Sequence, residues 1–542
     1  MDATMSAHES SNGVASSRSD GSTVSNTGDS NLSSISDVSR DTTEKQSLDR
    51  TAAQFSHVDL ANPSLLEEDL RNERLHYSSY ALPARLSEGT ARFVKGGIDN
   101  LDRPNVLRDE PSKYSLVDSN DVDKILPPPD LLPIPMAFNA LLQTNSRVTP
   151  SDHWQDVRSL VLYVYPREDL QAEEHIEPYY KPGDVLTIYP KNFPEDVQAL
   201  IDLMGWGDVA DEPFEHHSRQ GGGIPGLPNF PQPRNCFPLP NSTLRQLLLH
   251  NYDITAIPKR IFIDQIAWHT IDPMHRERLH EFADPKFTDE FYDYTSRPRR
   301  SILEILQDFP SVKIPYQEIP SVFPAIRGRE YSIASGGELL REPGADLLRV
   351  ELLVALVKYK TVLRKTRQGL CSRYLESLKP NTVINVTIGD NQGPPNKSQH
   401  IRSPLLAIGP GTGIAPIRSL IYDRLTHPDS GDNVVFFGGR NRKADFYFHE
   451  DWVDLGVTVH TAFSRDQKEK VYVQDIIRQE AAHVCFLIQR GAIICLCGSA
   501  GKMPEAVRQA LYDALVMGGL ASNVETARHI IEHNVEYWEE VW

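Results

Sequence analysis

The run PLLAIGPGTGIAPIRSLI (404–421) places Gly409, Pro410, Gly411, Thr412 and Gly413 between an apolar strand and a helix starting near Ala415. Glycines there let the backbone approach a ligand, and the helix N-terminus offers unpaired N–H groups and a favourable dipole to a pyrophosphate. An ordinary tight strand–helix turn would read the same way. FSRDQKEKVYVQD (463–475) follows another strand, and its Ser464, Arg465 and Lys470 supply a hydroxyl and two cations suited to a dianionic phosphate, with Tyr472 able to stack on an adenine. A solvated charged turn is the plainer alternative. IRGREYSIASG (326–336) sets Arg329, Tyr331 and Ser332 on a strand ending at a glycine pair, where an aromatic could cover a flavin ring and the Arg could reach a phosphate; a half-buried strand has the same pattern. In RQGLCSRYLESL (367–378), Gly369, Leu370, Cys371 and Ser372 sit at a helix start that also suits a pyrophosphate, although Ser372 could simply cap the helix. ICLCGSAGKMP (494–504) puts Cys497 at the C-terminal end of a strand, where ligands of open α/β sheets lie. Free cysteine is more often a small core hydrophobe, which is the role expected of Cys495. The chain closes on EYWEEVW, with Glu540 two residues before Trp542, whose ring could stack on a flavin.

These residues need two kinds of scaffold. DVRSLVLYVYP (156–166), GDVLTIYP (183–190), LLRVELLVALVKYK (347–360) and TVINVTIG (382–389) read as strands. STLRQLLLHNYD and RERLHEFAD, inside 240–295, carry helical periodicity. The expectation is a β-region interrupted by a helical insertion and then resumed. From Ile401 strands alternate with helices, which argues for a parallel α/β sheet.

The 542 residues suggest two to four domains, and 39% hydrophobic content is enough for proper cores. A formal charge of −18 argues against a surface for nucleic acid or anionic membrane over the whole molecule, but not against a local basic pocket. Five cysteines are too few and too clustered for a disulfide scaffold, their spacings fit no zinc site, and no metal centre is expected. No apolar run approaches the ~20 residues of a membrane span. Residues 1–50 hold 19 Ser or Thr, and no Phe, Tyr or Trp precedes Phe55. Residues 1–54 therefore read as a disordered tail and 55–130 as linker or remnant of low order.

Taken in order, these motifs resemble the flavin reductase half of the diflavin oxidoreductases, the group that includes microsomal cytochrome reductase and the reductase part of nitric oxide synthase. RVTPSDHWQDVRSLVLYV, YKPGDVLTIYPKN, DPMHRERLHEF, YDYTSRPRRSILEILQDF, GLCSRYL, FGGRNRKADFYF and KVYVQD are similar to the subfamily that serves cytosolic iron–sulfur assembly, and the likeness runs from about Leu131 to Trp542. The resemblance implies a multidomain α/β plus antiparallel β-barrel fold of the ferredoxin–NADP-reductase kind. Its FAD-binding barrel would span 131–400, with a helical connecting insertion about 206–295, and a doubly wound NADP-binding domain would span 401–542.

It further implies FAD contacts at Arg297, Arg329, Glu330, Tyr331, Ser332, Gly369, Leu370, Cys371, Ser372 and Trp542. NADP contacts are implied at Thr412, Ser464, Arg465, Lys470, Val471, Tyr472, Val473 and Gln474, with Ser464 and Arg465 at the 2′-phosphate. Ser332, Cys497, Glu540 and Trp542 match positions that assist hydride transfer. The implied activity is NADPH-dependent flavin reduction in the cytoplasm, with mitochondrial association left open, and electron transfer through FMN to an anamorsin-type iron–sulfur protein. A single-FAD reductase serving a separate flavodoxin or ferredoxin, and a non-catalytic interaction platform, are the alternatives. Three departures stand out. Residues 1–130 contain no strand–loop–helix unit of an FMN domain, which is expected to be missing. Ala506 stands where relatives commonly carry Asp, and Glu540 replaces the more usual Asp.

Overall fold

The computed structural model describes residues 126–167, 177–214, 236–342, 347–361, 365–391, 393–394 and 398–542, with a short strand β1 (Ala91–Phe93). The expectations for 1–54 and for most of 55–130 lie outside the described residues.

Alternation of apolar and polar side chains builds the first layer. In β3 (Val157–Tyr165), Leu160, Leu162 and Val164 point inward, and Val161, Tyr163 and Tyr165 between and beyond them are only half-buried. β3 pairs antiparallel with β2 (Phe138–Arg147) and β6 (Leu348–Ala355), while β4 (Val185–Ile188) pairs with β5 (Arg329–Ser332) and β9 (Val383–Gly389). The order β5-β4-β9-β2-β3-β6 leaves β5 and β6 at the two edges, and the bridge Ile333↔Leu352 joins them. The sheet is thus a nearly closed six-stranded antiparallel barrel around Leu142, Leu160, Leu186, Ile188, Val350 and Val386. A two-stranded ribbon, β7 (Lys358–Lys360) with β8 (Thr366–Gln368), leads into the helix Leu370–Ser377.

The helices between β4 and β5 run from Pro194 to Val322 and enclose a separate apolar core that includes Leu247, Ile263, Leu279 and Ile305. Reciprocal Thr243–Gln246 and Ser301–Glu304 capping boxes start two of them, and Asp272 followed by Pro273 starts a third.

The second sheet follows order β1-β12-β11-β10-β13-β14. β10 (Leu405–Pro410), β11 (Asn433–Gly439), β12 (Thr458–Phe463), β13 (Ile493–Gly498) and β14 (Tyr537–Val541) are parallel, and β1 pairs antiparallel along the outer edge of β12. The apolar runs LLAI and IICLC are buried on both faces, as central parallel strands covered by helices must be. One of the two apolar layers on this sheet also takes in Val157, Ala334 and Leu353 of the barrel, so barrel and parallel sheet share a core. Gly336 and Gly337 permit that approach. A Cβ on Gly336 would lie 2.3 Å from the Ser419 carbonyl oxygen, and one on Gly337, whose φ is +52°, 2.2 Å from that of Tyr422.

Candidate active site

Three structural elements meet at the end of β5. Ser332, its last residue, donates through Oγ to Glu540 Oε1 at 2.5 Å, and Glu540 belongs to β14 at the far edge of the parallel sheet. In the β13–β14 register Glu540 lies opposite Cys497. One hydrogen bond therefore joins the barrel to the strand neighbouring the Cys497 turn. Burial raises the Glu540 carboxyl above its ordinary value, and the Ser332 hydroxyl only partly offsets this. Its second oxygen, Oε2, is buried without a hydrogen-bond partner. The Cys497 thiol is fully buried, and desolvation, reinforced by the neighbouring Glu540, pushes its pKa well up. It is a neutral S–H group at the margin of the apolar layer that includes Ile414 and Cys495, not a thiolate.

The glycine turn after β10 packs onto this corner. Gly413 lies so close to β13 that a Cβ there would stand 2.1 Å from the Cys497 carbonyl oxygen. Gly411 has φ +59° and open space around it, and Thr412 lies half-buried between them, just before the helix Ile414–Leu425. Trp542 extends the corner: its N–H donates to the Gly498 carbonyl at 3.1 Å and its carbonyl accepts from Ala500 at 2.8 Å, while the side chain stays 41% exposed.

On the barrel side, the Tyr331 hydroxyl donates to Cys371 Sγ at 3.2 Å, linking β5 to the start of the helix Leu370–Ser377. Burial raises both the Tyr331 phenol and the Cys371 thiol, the latter to about 11. Gly369, not Ser372, caps that helix; Ser372 Oγ accepts from the Val357 N–H at 2.9 Å. Leu370 is buried beside them. Arg329 is half-buried and donates to the carbonyls of Arg327 and Gly328. Glu330 is exposed between them. Arg297 is exposed on the helical insertion and ion-paired to Asp293, but the adjacent Pro298 carbonyl accepts from Arg367, two residues before Gly369. The structure thus gathers Arg329, Tyr331, Ser332 and Gly369 through Ser372 around one corner and leaves Glu330 and Arg297 at the solvent boundary.

The second group lies at the C-terminal ends of β11 and β12. Ser464 is buried, and its N–H and hydroxyl both donate to the Gly439 carbonyl. Arg465 N–H donates to the Arg440 carbonyl at 2.7 Å. Lys470 and Tyr472 are exposed, Val471 and Val473 buried, and Gln474 half-buried at the start of the helix Val473–Gln479.

Two arginines here escaped the reading of the sequence. Arg440 stacks over Trp154 at 3.9 Å, and Arg442 lies over Phe463 at 4.9 Å. Burial lowers the Arg442 pKa against the pull of Asp466, and its Nη1 is buried with no hydrogen-bond partner. Buried Asp445 holds this turn by accepting from the N–H groups of Arg440 and Asn441 at 3.0 and 2.8 Å. The available signal was FGGRNRKADF, with two arginines directly after a glycine pair at a strand end.

These observations fit two dinucleotides. An open glycine turn leading into a helix, and the one buried Arg442 nitrogen left without a partner in the turn that Ser464 and Arg465 hydrogen-bond to, suit phosphates. The unsatisfied Glu540 oxygen beside Ser332 and Tyr331 suits a polar, planar ring system. Comparison with known proteins agrees with that division. Residues 167–374 match the FAD binding domain, and residues 407–509 match the oxidoreductase NAD-binding domain. The NADPH-dependent diflavin oxidoreductase 1 of Aspergillus fumigatus is 45% identical over 76% of this chain and 65% of its own length. The proteins of the same name from Gibberella zeae and Schizosaccharomyces pombe are 43% and 37% identical, over 77% and 75% of this chain and 67% and 66% of theirs. The chain spans about two thirds of the length of these curated relatives. With both domains matched and identity at this level, the chain belongs to the NADPH-dependent diflavin oxidoreductase family.

Proposed function

We propose that this chain oxidises NADPH and reduces FAD, and that the electrons continue, through FMN where the full-length relatives carry it, to an iron–sulfur protein of the anamorsin type in the cytoplasm. The observation that carries the reading is the Ser332–Glu540 hydrogen bond with Cys497 opposite Glu540, because it joins groups of the flavin-binding barrel to groups of the nicotinamide-binding sheet at one point. When bound, the nicotinamide supplies a hydride and the flavin accepts it. The chain's part is alignment and charge. Tyr331 and the 369–372 helix start hold the flavin side, and Arg329 meets its phosphates. Thr412 and the 411–413 turn hold the nicotinamide dinucleotide, while Ser464, Arg465 and Lys470 meet its 2′-phosphate. The hydrogen-bonded Ser332 and Glu540, with Cys497 opposite Glu540, can hold or move a proton beside the rings, and Trp542 covers them from the solvent side.

The test is the flavin content of the purified chain followed by anaerobic titration with NADPH. One FAD per chain, bleached by NADPH and far less readily by NADH, is the expected result. A chain that binds no flavin, or whose flavin NADPH leaves oxidised, overturns the reading and favours an interaction platform.

A further inference from the structure

We propose that His460, Glu480 and His483 form a binding site for a divalent transition-metal ion of the zinc class, separate from the cofactor corner. One ligand atom from each of the three residues lies within 4.8 Å of the other two. His460 sits on β12 with its side chain almost wholly buried, its ring stacked on Phe436 at a centroid distance of 4.8 Å and an interplanar angle of 16°. Its Nδ1 is 3.4 Å from Glu480 Oε1, and its Nε2 is 3.3 Å from His483 Nδ1. Glu480 and His483 stand three residues apart at the start of the helix Ala481–Gln489, a spacing that puts both side chains on one helix face.

The donor set decides the chemistry. Two imidazoles and one carboxylate suit zinc, cobalt or nickel, whereas calcium and magnesium call for oxygen donors. A tetrahedral ion at about 2.0–2.2 Å from each donor needs donors roughly 3.3–3.6 Å apart. One imidazole gives an ion one nitrogen. Nε2 of His460 and Nδ1 of His483, 3.3 Å apart, already have the separation of two tetrahedral ligands. Glu480, 26% exposed and resting on the Nδ1 edge of His460, has to turn towards them, its oxygen lying within 4.8 Å of a nitrogen of each ring. Three protein donors leave a fourth position for water. His483 also borders a cleft of about 290 Å³ with Val457, Thr458 and Leu487, through which ion and water can reach the site. That cleft lies at the N-terminal ends of β11 and β12, opposite the ends that carry Gly439 and Ser464, and β12 is three strands from Cys497. The ion would therefore fasten the helix Ala481–Gln489 to β12 without touching the redox groups. The cysteine spacings gave no sign of it, because its ligands come from a strand and a helix that only the fold brings together.

The experiment uses the full chain, free of any histidine tag, with zinc chloride as the probe. His529 and His533, stacked at 4.4 Å on an exposed helix, could capture zinc by themselves, so the measurement is made in a His529→Ala/His533→Ala background. Isothermal titration should give one zinc per chain, and zinc should raise the thermal midpoint. Glu480→Gln and His483→Ala, both at partly exposed positions, should each weaken binding at least tenfold and remove the thermal shift. Cobalt(II) in place of zinc should show d–d bands without thiolate charge transfer. Absence of stoichiometric zinc, binding that both substitutions leave unchanged, or thiolate bands placing the ion on cysteine would each overturn the proposal.

Discussion

Two carboxylates lie where the barrel meets the parallel sheet, and their surroundings are opposite. Glu351 on β6 accepts from Ser159, Arg349 and Arg418 at 3.1, 3.0 and 3.1 Å. Burial alone would raise its pKa, but the two guanidiniums overcome this and hold it below the ordinary value. Arg418 in turn donates to Asp451 at 2.6 Å and to the Ala334 carbonyl at 3.0 Å, and lies over the Phe448 ring at 4.3 Å. Glu540 has one partner, Ser332, a buried oxygen with none, and a raised pKa. A buried ionised group with its hydrogen bonds filled fixes a geometry; one left short of partners is held for something else to complete. The first corner is a clamp and the second is a place for a ligand.

Removing the clamp should give the larger effect. Arg418→Met leaves Glu351 and Asp451 without their shared cation, and breaking a buried pair by deleting one partner costs about 3–5 kcal/mol. The urea midpoint should fall accordingly, and Glu351→Gln added to Arg418→Met should recover part of the loss, since Glu351 would otherwise be a buried charge left with Arg349 as its remaining cation. A loss under about 1 kcal/mol, or no recovery in the double variant, would dissolve the distinction between the two corners.

How much of this could be read beforehand follows the same divide. The strands at 157–165, 185–188 and 383–389 and the glycine turn at 409–413 announced themselves, because alternation and glycine spacing are local signals. The final strand did not. YWEEV has a charged, half-exposed composition and becomes a strand only because β13 offers a free edge. In AAHVCFLIQRGAIICLCG, one long apolar stretch hides a helix, a left-handed glycine at Gly491 and a strand, and periodicity alone does not divide them. Among the site residues, Ser332, Glu540 and Cys497 carried motif signals one by one, but their meeting is tertiary. Arg418 sits in a helix motif that drew notice only for its glycines, and its partners Glu351 and Asp451 are far away in sequence; no local pattern could have found the clamp.

A substitution in the second corner should separate activity from stability. Glu540→Gln keeps the shape and removes a charge the fold does not favour, so the unfolding midpoint at neutral pH should hold or rise slightly. Flavin reduction by NADPH should slow about a hundredfold, the low end of what a positioned acid–base group contributes. The sign of the pH effect is fixed. A carboxyl whose folded pKa is raised binds its proton more tightly in the fold, so wild type gains stability relative to Glu540→Gln as pH falls from the raised value towards 4.5. The reduction rate should show an inflection above 4.5 in wild type that the variant lacks. Cys497→Ala should slow reduction less and retain FAD; an unchanged rate would return Cys497 to the core hydrophobes.

The smallest effect tests whether the comparison extends to the phosphate end. Lys470 is exposed and Arg465 half-buried, and solvent screens such contacts, so replacing both by Ala should raise the Michaelis constant for NADPH some 10- to 30-fold, about 1.4–2 kcal/mol, with little change for NADH. Arg442 sharpens the result. Its buried, unpartnered Nη1 resembles the unfilled Glu540 oxygen with the charge reversed, so a 2′-phosphate that completed it would make Arg442→Gln weaken NADPH as much as the double substitution does. If Arg442 instead serves only the packing of its turn over Phe463 and its donation to Thr461, then Arg442→Gln should lower the unfolding midpoint and leave the NADPH-to-NADH ratio where it was. Equal losses for both cofactors in the Arg465/Lys470 variant would remove those residues from the 2′-phosphate and leave the unsatisfied carboxylate at Glu540 as the better marked of the two ligand corners.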